Sequence, residues 1–211
     1  MGKLDGAVVY LSGAMEYVAD NGVEWRREFI KLCLLSDLYI DFIDPTDKPG
    51  GQDIMVDENK AIQEEYQRTG QFKKLQNVVH QYRRYDLAFT DQMDFMVTMI
   101  NPKIPQWGTA NEVYVGENHH RPNFFICAET LYTLPRWLYG VIDDIESDDP
   151  EQAIAESNVY QDIESVVAEL VKLDRGEKPL SSEWVLVRKH IEERRQRYEH
   201  MRQELKAQSK A

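Results

Sequence analysis

Apolar residues fall into short unbroken runs, separated by stretches in which they recur at helical spacing. Ala7-Val8-Val9-Tyr10-Leu11 is such a run, ended by Ser12-Gly13, and predicts a buried first strand. A polar loop over 14–22 follows. Trp25, Phe29, Leu32 and Cys33 then repeat at helical spacing and predict an amphipathic helix over 23–35. Tyr39-Ile40-Asp41-Phe42-Ile43 predicts a second strand, stopped by Asp44-Pro45, with a loop rich in Pro and Gly from Thr46 to Asp53. Two helices are expected over 57–68 and 72–92 with Gly70 as the break. In the second, Leu75, Val78, Val79, Tyr82, Tyr85 and Phe89 lie three and four apart. Phe95-Met96-Val97-Thr98-Met99-Ile100 predicts a third strand, 111–119 a helix, and Phe124-Phe125-Ile126-Cys127 a fourth strand. Strands alternating with helices imply an α/β fold with a doubly wound parallel sheet.

From Leu134 onward the pattern is helical: helices over 134–145 and about 158–174, with an acidic linker over 143–156 between them. A turn at Arg175-Gly176-Glu177-Lys178-Pro179 precedes a last helix, capped by Ser181 or Ser182 and running to about Lys206. Its apolar residues Trp184, Val187, Ile191, Tyr198, Met201 and Leu205 keep a three-four rhythm. The expected division is an α/β domain over 1–133 and a helical extension over 134–211. That extension either builds a homo-oligomer interface or packs on its own domain.

The 211 residues carry a formal net charge of −12. A nucleic-acid polymer needs a basic face to neutralise its phosphates, so it is not the expected partner; a single nucleoside or nucleotide in a pocket is compatible with the charge. No apolar run approaches the ~20 residues that span a bilayer, and the N-terminus lacks a basic-then-apolar leader. Cys33 and Cys127 both lie in apolar patterns, as buried structural thiols do. Neither a disulfide nor a zinc site is expected, and the chain reads as cytoplasmic.

Candidate chemistry gathers where strands end, because open α/β sheets bind ligands outside the carboxyl ends of their strands. Ser12-Gly13-Ala14-Met15 is a small-residue turn that lets backbone N–H groups approach a ligand. Glu112, in Gly108-Thr109-Ala110-Asn111-Glu112, follows the third strand and is a candidate nucleophile or base. Thr109-x-x-Glu112 also matches a capping box, in which the glutamate folds back on the helix terminus and does no chemistry. Asp86 lies near a helix end, where a carboxylate opposes the helix dipole. Asp94, at the start of the third strand, suits a turn or cap. The loop at Asp44-Pro45-Thr46 can close over a pocket, and Tyr17, Trp25 and Trp107 are aromatic candidates for stacking on a planar base, with core packing the commoner fate of Trp25. His119 and His120 suit a helix end.

Taken together, Val9-Tyr10-Leu11-Ser12-Gly13-Ala14-Met15, Trp25-Arg26, Asp86-Leu87 with Asp94, and Gly108-Thr109-x-x-Glu112 resemble the nucleoside 2-deoxyribosyltransferase family and its relatives, the 2′-deoxynucleoside 5′-phosphate N-hydrolases. The resemblance spans residues 7–128. It implies a Rossmann-like, flavodoxin-related sheet and attack by Glu112 on C1′ of a deoxyribonucleoside. Asp86 then holds substrate and assists proton movement at the departing base. The resemblance also implies a pocket lined by Tyr10, Ser12, Gly13, Ala14 and Met15, with Trp25, Asp44, Asp94, Gly108 and Thr109 as further substrate contacts. No metal or redox cofactor is implied. The chain departs from the family pattern at Gln106, where transferases carry an acidic residue six positions before the nucleophile. It also departs in the length of its 134–211 segment, and no C-terminal residue from a neighbour can be aligned to complete the site.

Three functions follow as expectations. The first is transfer of 2-deoxyribose between nucleobases. The second is hydrolysis of a deoxynucleoside or its 5′-phosphate, with Ser12, Arg26 and Lys48 as possible phosphate contacts. The third is a non-catalytic nucleotide-binding module in which Glu112 is only a cap.

Overall fold

The chain lays down five strands, every neighbouring pair of them parallel, in the order β2-β1-β3-β4-β5. The computed structural model describes residues 2–47, 57–129, 131–180 and 203. The strands are β1 (Val8–Gly13), β2 (Asp41–Ile43), β3 (Phe95–Met99), β4 (Asn123–Ile126) and β5 (Val159–Tyr160). The helices are α1 (Val23–Leu35), α2 (Asp57–Arg68), α3 (Phe72–Thr90), α4 (Trp107–Asn118), α5 (Pro150–Glu156) and α6 (Ile163–Arg175). This is the doubly wound, flavodoxin-like strand order, whose direction of winding reverses between β1 and β3.

The two-residue period of each strand sorts its side chains into two cores. Val9 and Leu11, with Phe95, Val97, Phe124 and Ile126, pack against Phe29 and Cys33 of α1 and Val166 and Leu170 of α6. Tyr10, with Met96 and Phe125, packs on the opposite face with Val113 of α4. Phe29 is fully buried, worth about 2 to 3 kcal/mol of hydrophobic transfer. Both faces of β1 are therefore covered, which is why its sequence is apolar without alternation. α1 begins where Gly22 turns left-handed at φ 73°. A Cβ there would sit 2.5 Å from both the Ala14 carbonyl and the Arg26 guanidinium, so the position is closed to other residues. Asp20 caps the turn, accepting from Gly22 N at 3.1 Å and Glu24 N at 2.8 Å.

The C-terminal half departs from expectation in three places. The helix expected over 134–145 is instead two 3-10 turns, Leu131–Thr133 and Arg136–Gly140, because Pro135 disfavours the α conformation at Leu134 and is itself extended at ψ 134°. The acidic linker contains α5, which Asp149 caps by accepting from Glu151 N and Gln152 N. The helix expected over 158–174 begins only at Ile163. Before it, Val159 and Tyr160 form β5 on the open edge of β4, where Phe125 N donates to Asn158 O and Cys127 N to Tyr160 O. Asp162 caps α6 and Gly176, at φ 74°, ends it. The 134–180 region thus supplies an edge strand of the main sheet and a helix of its core, as well as the expected helical character. Lys48, the capping serines Ser181 and Ser182, and the heptad pattern from Trp184 to Leu205 lie outside the described residues.

Asp94 is expected among the substrate contacts, and its position corrects that. It stands at the amino end of β3, the end of the sheet away from the ligand crevice, and is 2 % exposed. Its Oδ2 accepts from Val8 N at 2.7 Å while its own N–H donates to Val8 O at 2.7 Å, so it pins the first residue of β1. Asp94→Ala strands a buried backbone donor, and chemical denaturation should show a loss of about 1 to 3 kcal/mol. An unchanged midpoint would remove this role.

Candidate active site

Strand phase puts Tyr10 and Ser12 on the same face of β1, toward α4. From there both hydroxyls reach one carboxylate. Tyr10 Oη donates to Glu112 Oε1 at 3.0 Å, and Ser12 Oγ donates to Glu112 Oε2 at 2.5 Å. Each oxygen of Glu112 is held by a different hydroxyl, which fixes the plane of the carboxylate as well as its position.

α4 starts at Trp107 with Gln106 at its cap position, four residues earlier than the sequence pattern suggests. Glu112 therefore lies in the second turn, and Thr109 is inside the helix and buried. The capping-box geometry needs the threonine at the cap itself, so Glu112 is not a capping residue here. Gln106 explains the early start. Its Oε1 accepts from Asn101 N at 2.9 Å and its Nε2 donates to Met99 O at 3.1 Å, closing the loop after β3.

Burial is the largest influence on Glu112 and, together with the negative charge of Asp86 on α3, lifts its pKa from 4.5 to about 7. The Ser12 and Tyr10 hydroxyls and the Arg26 charge oppose the rise. Burial also pushes the Tyr10 phenol well above its ordinary value, with Glu112 and Asp86 adding to it. Tyr10 accordingly stays protonated and serves as a donor. Asp86 is partly buried, and α3 packs on α4 to bring it within electrostatic reach of both groups.

Behind Ser12 lies Arg26, 0 % exposed. Its Nε donates to Leu11 O at 3.0 Å, and its two terminal nitrogens donate to Gly22 O at 2.7 Å and Gly13 O at 3.1 Å. Asp44 lies 3.6 Å from its Nε. This guanidinium is committed to the protein, which corrects the expectation that it meets a phosphate. Asp44 likewise faces Arg26 and accepts from Thr46 N and Thr46 Oγ1 at 2.8 and 2.7 Å, in a self-contained turn. The sequence carried a signal for Arg26, since it stands in phase with the buried Phe29 and Cys33.

The remaining expected residues divide by position. Gly13 ends β1, and a Cβ there would meet the Trp25 ring at 3.1 Å and Met99 Cβ at 3.2 Å; its smallness admits the indole, whose face also carries the Arg26 guanidinium 4.7 Å from the ring centre. Trp25 is thus a half-buried packing residue at the rim of the core. Ala14 and Met15 follow β1, partly exposed, at the carboxyl end of the sheet. Gly108 is exposed with open space around its α-carbon. Trp107 is 85 % exposed and Tyr17 65 % exposed. On the exposed side, Arg83 of α3 donates to the side chain of Asn111, the residue before Glu112. Among the described residues no group of three or more His, Cys, Asp or Glu side chains is arranged to hold a metal ion. No protein-family model matches the chain, and neither does any curated protein.

A carboxyl group with a raised pKa opposes folding once it ionises. Below about pH 4.5 Glu112 is protonated folded and unfolded alike. Between that value and about 7 the folded protein keeps a proton that the unfolded chain releases, so stability falls as pH rises. The full penalty stands above about pH 7. Glu112→Gln removes it, and the variant should gain about 2 to 3 kcal/mol over wild type on going from about pH 4 to about pH 8. Urea denaturation at both pH values checks this; a constant difference would mean Glu112 ionises normally.

Proposed function

We propose that this protein cleaves the N-glycosidic bond of a 2-deoxyribonucleoside and passes the sugar to a second nucleobase, with Glu112 as nucleophile at C1′. The observation that carries the reading is the Glu112 carboxylate held by the Tyr10 and Ser12 hydroxyls at the carboxyl ends of β1 and β3, where the winding reverses and such sheets bind ligands. A second carboxylate, Asp86, stands in electrostatic reach.

The bond from C1′ to the base nitrogen breaks as a bond from C1′ to a Glu112 oxygen forms. Positive charge grows on the sugar, and the carboxylate beneath it stabilises that charge and captures it as a glycosyl ester. The ester keeps one free oxygen, which still accepts from a hydroxyl of Tyr10 or Ser12. The departing base takes the electron pair of the broken bond and a proton drawn from solvent, for which Asp86 is the carrier. An entering base then attacks C1′, returns the proton and frees Glu112. The exchange leaves the oxidation level of every atom unchanged.

A nucleoside suits this site better than its 5′-phosphate. Ser12 is engaged by Glu112 and Arg26 by backbone carbonyls, so two of the groups that could meet a phosphate are committed. Two buried thiols, Cys33 and Cys127, suit the reducing cytoplasm that belongs to this proposal, of which a homo-oligomer is also part. No helix among the described residues is long and apolar enough to cross a membrane.

Purified protein incubated with a deoxynucleoside and a different free base should yield the exchanged deoxynucleoside on HPLC. Glu112→Ala should lower the rate about a thousand-fold or more. Free deoxyribose without exchange would assign hydrolysis, and no turnover with either acceptor would overturn the reading. Because attack needs the ionised carboxylate, exchange should fall as pH drops through about 7, the raised pKa of Glu112. A rate that rises instead would make Glu112 the acid.

A further inference from the structure

β2 ends at Ile43, opposite Tyr10. Asp41 N donates to the Ala7 carbonyl, so the carbonyls of odd-numbered β1 residues point to that edge. Beyond Tyr10 the edge continues without a strand beside it, yet Leu11 and Gly13 still present carbonyls there. The Arg26 fork takes both, with Nε on Leu11 O and a terminal nitrogen on Gly13 O. These two residues flank Ser12, whose hydroxyl holds Glu112.

A neutral amide donor could meet a carbonyl at far smaller desolvation cost, since a buried ion pair is weak evidence for stability. What a cation adds is charge. The charged groups facing this region are Glu112 on α4, Asp86 and Arg83 on α3, Asp44 after β2, and Asp20 in the loop before α1, with the Tyr10 phenol on β1. Arg26 is the fully buried cation among them.

We propose that Arg26 is a positioning residue for Glu112: its guanidinium replaces the missing rungs of β2, fixes the backbone on both sides of Ser12, and sets a buried positive charge behind the hydroxyl that holds the Glu112 carboxylate. Asp44, 3.6 Å from Nε, tempers that charge. The Arg26 charge acts to lower the Glu112 pKa, and Glu112 in turn favours the charged guanidinium. This assignment rests on the proposal that Glu112 is the reactive carboxylate, but its readout needs no turnover.

Glu112 ionisation can be followed by carboxyl-carbon NMR of glutamate-labelled protein, with Glu112→Gln identifying the signal. Arg26→Gln keeps a donor for the carbonyls and loses the charge; the Glu112 midpoint should rise. Asp44→Asn keeps its turn and frees the Arg26 charge; the midpoint should fall. Arg26→Lys should hold it within about half a unit. A purely structural brace predicts the opposite for Arg26→Gln, because loosening admits water and returns the carboxyl toward its ordinary value. An unmoved or lowered midpoint in Arg26→Gln therefore overturns the proposal. If that variant does not fold, an unmoved midpoint in Asp44→Asn overturns it. Where base exchange is measurable, its acidic limb should shift with the midpoint. Shifted midpoints in a protein that shows no exchange would sink the enzymatic reading and leave the electrostatic role of Arg26 standing.

Discussion

Two hydroxyls on β1 and one carboxylate on α4 meet only because three separate phases agree. Tyr10 and Ser12 share a face because they lie two apart on β1, and the register that sets Tyr10 opposite Met96 and Ser12 opposite Thr98 turns that face toward α4. A one-residue slip would turn both hydroxyls toward α1 and α6 and drive Val9 and Leu11 out of their core. α4 must start at Trp107, so that its second turn, carrying Glu112, comes over β1. Gln106 sets that start by tying the β3 end to the following loop. The core and the site are consequently specified by the same alternation, and a sequence that satisfies one satisfies the other.

The arrangement works against stability in several places at once. Glu112 is partly withdrawn from water beside Asp86, and Arg26 is fully withdrawn beside Ser12. An apolar repacking of these positions would relieve the desolvation of several charges. Such local conflicts between folding and residue choice concentrate at functional sites, and here they concentrate at the switch point between β1 and β3. At other buried ionisable groups the partners are local, as for Asp94 with Val8 and Glu169 with Lys178.

Much of the frame is legible in the sequence because apolar runs and helical spacing report burial directly. The run from Val8 to Leu11 gives β1, and the spacing of Trp25, Phe29 and Cys33 gives α1 with its observed bounds. Signals that depend on a neighbour are not legible in this way. β5 is two residues long and exists because β4 offers an open edge; alone, Val159-Tyr160 merges with the helical pattern that follows. Glu112 is visible as a candidate, but its choice between capping and chemistry turns on where α4 begins, and that is set by the reach of the Gln106 side chain. Asp94 shows how sequence spacing alone misplaces a group: it lies eight residues from Asp86, yet β3 carries it to the far end of the sheet.

The charge balance of the site bears on which substrate the proposed chemistry would take. Glu112, Asp86 and Asp44 are acidic, and Arg26, which offsets them, is fully buried with its guanidinium turned to carbonyls. A field of that sign favours a sugar that becomes positive as its bond to the base breaks. It disfavours a dianionic phosphate brought close to the same carboxylates, unless cations outside this set neutralise it. Arg83 of α3, which donates to the exposed Asn111 side chain beside Glu112, is one such cation.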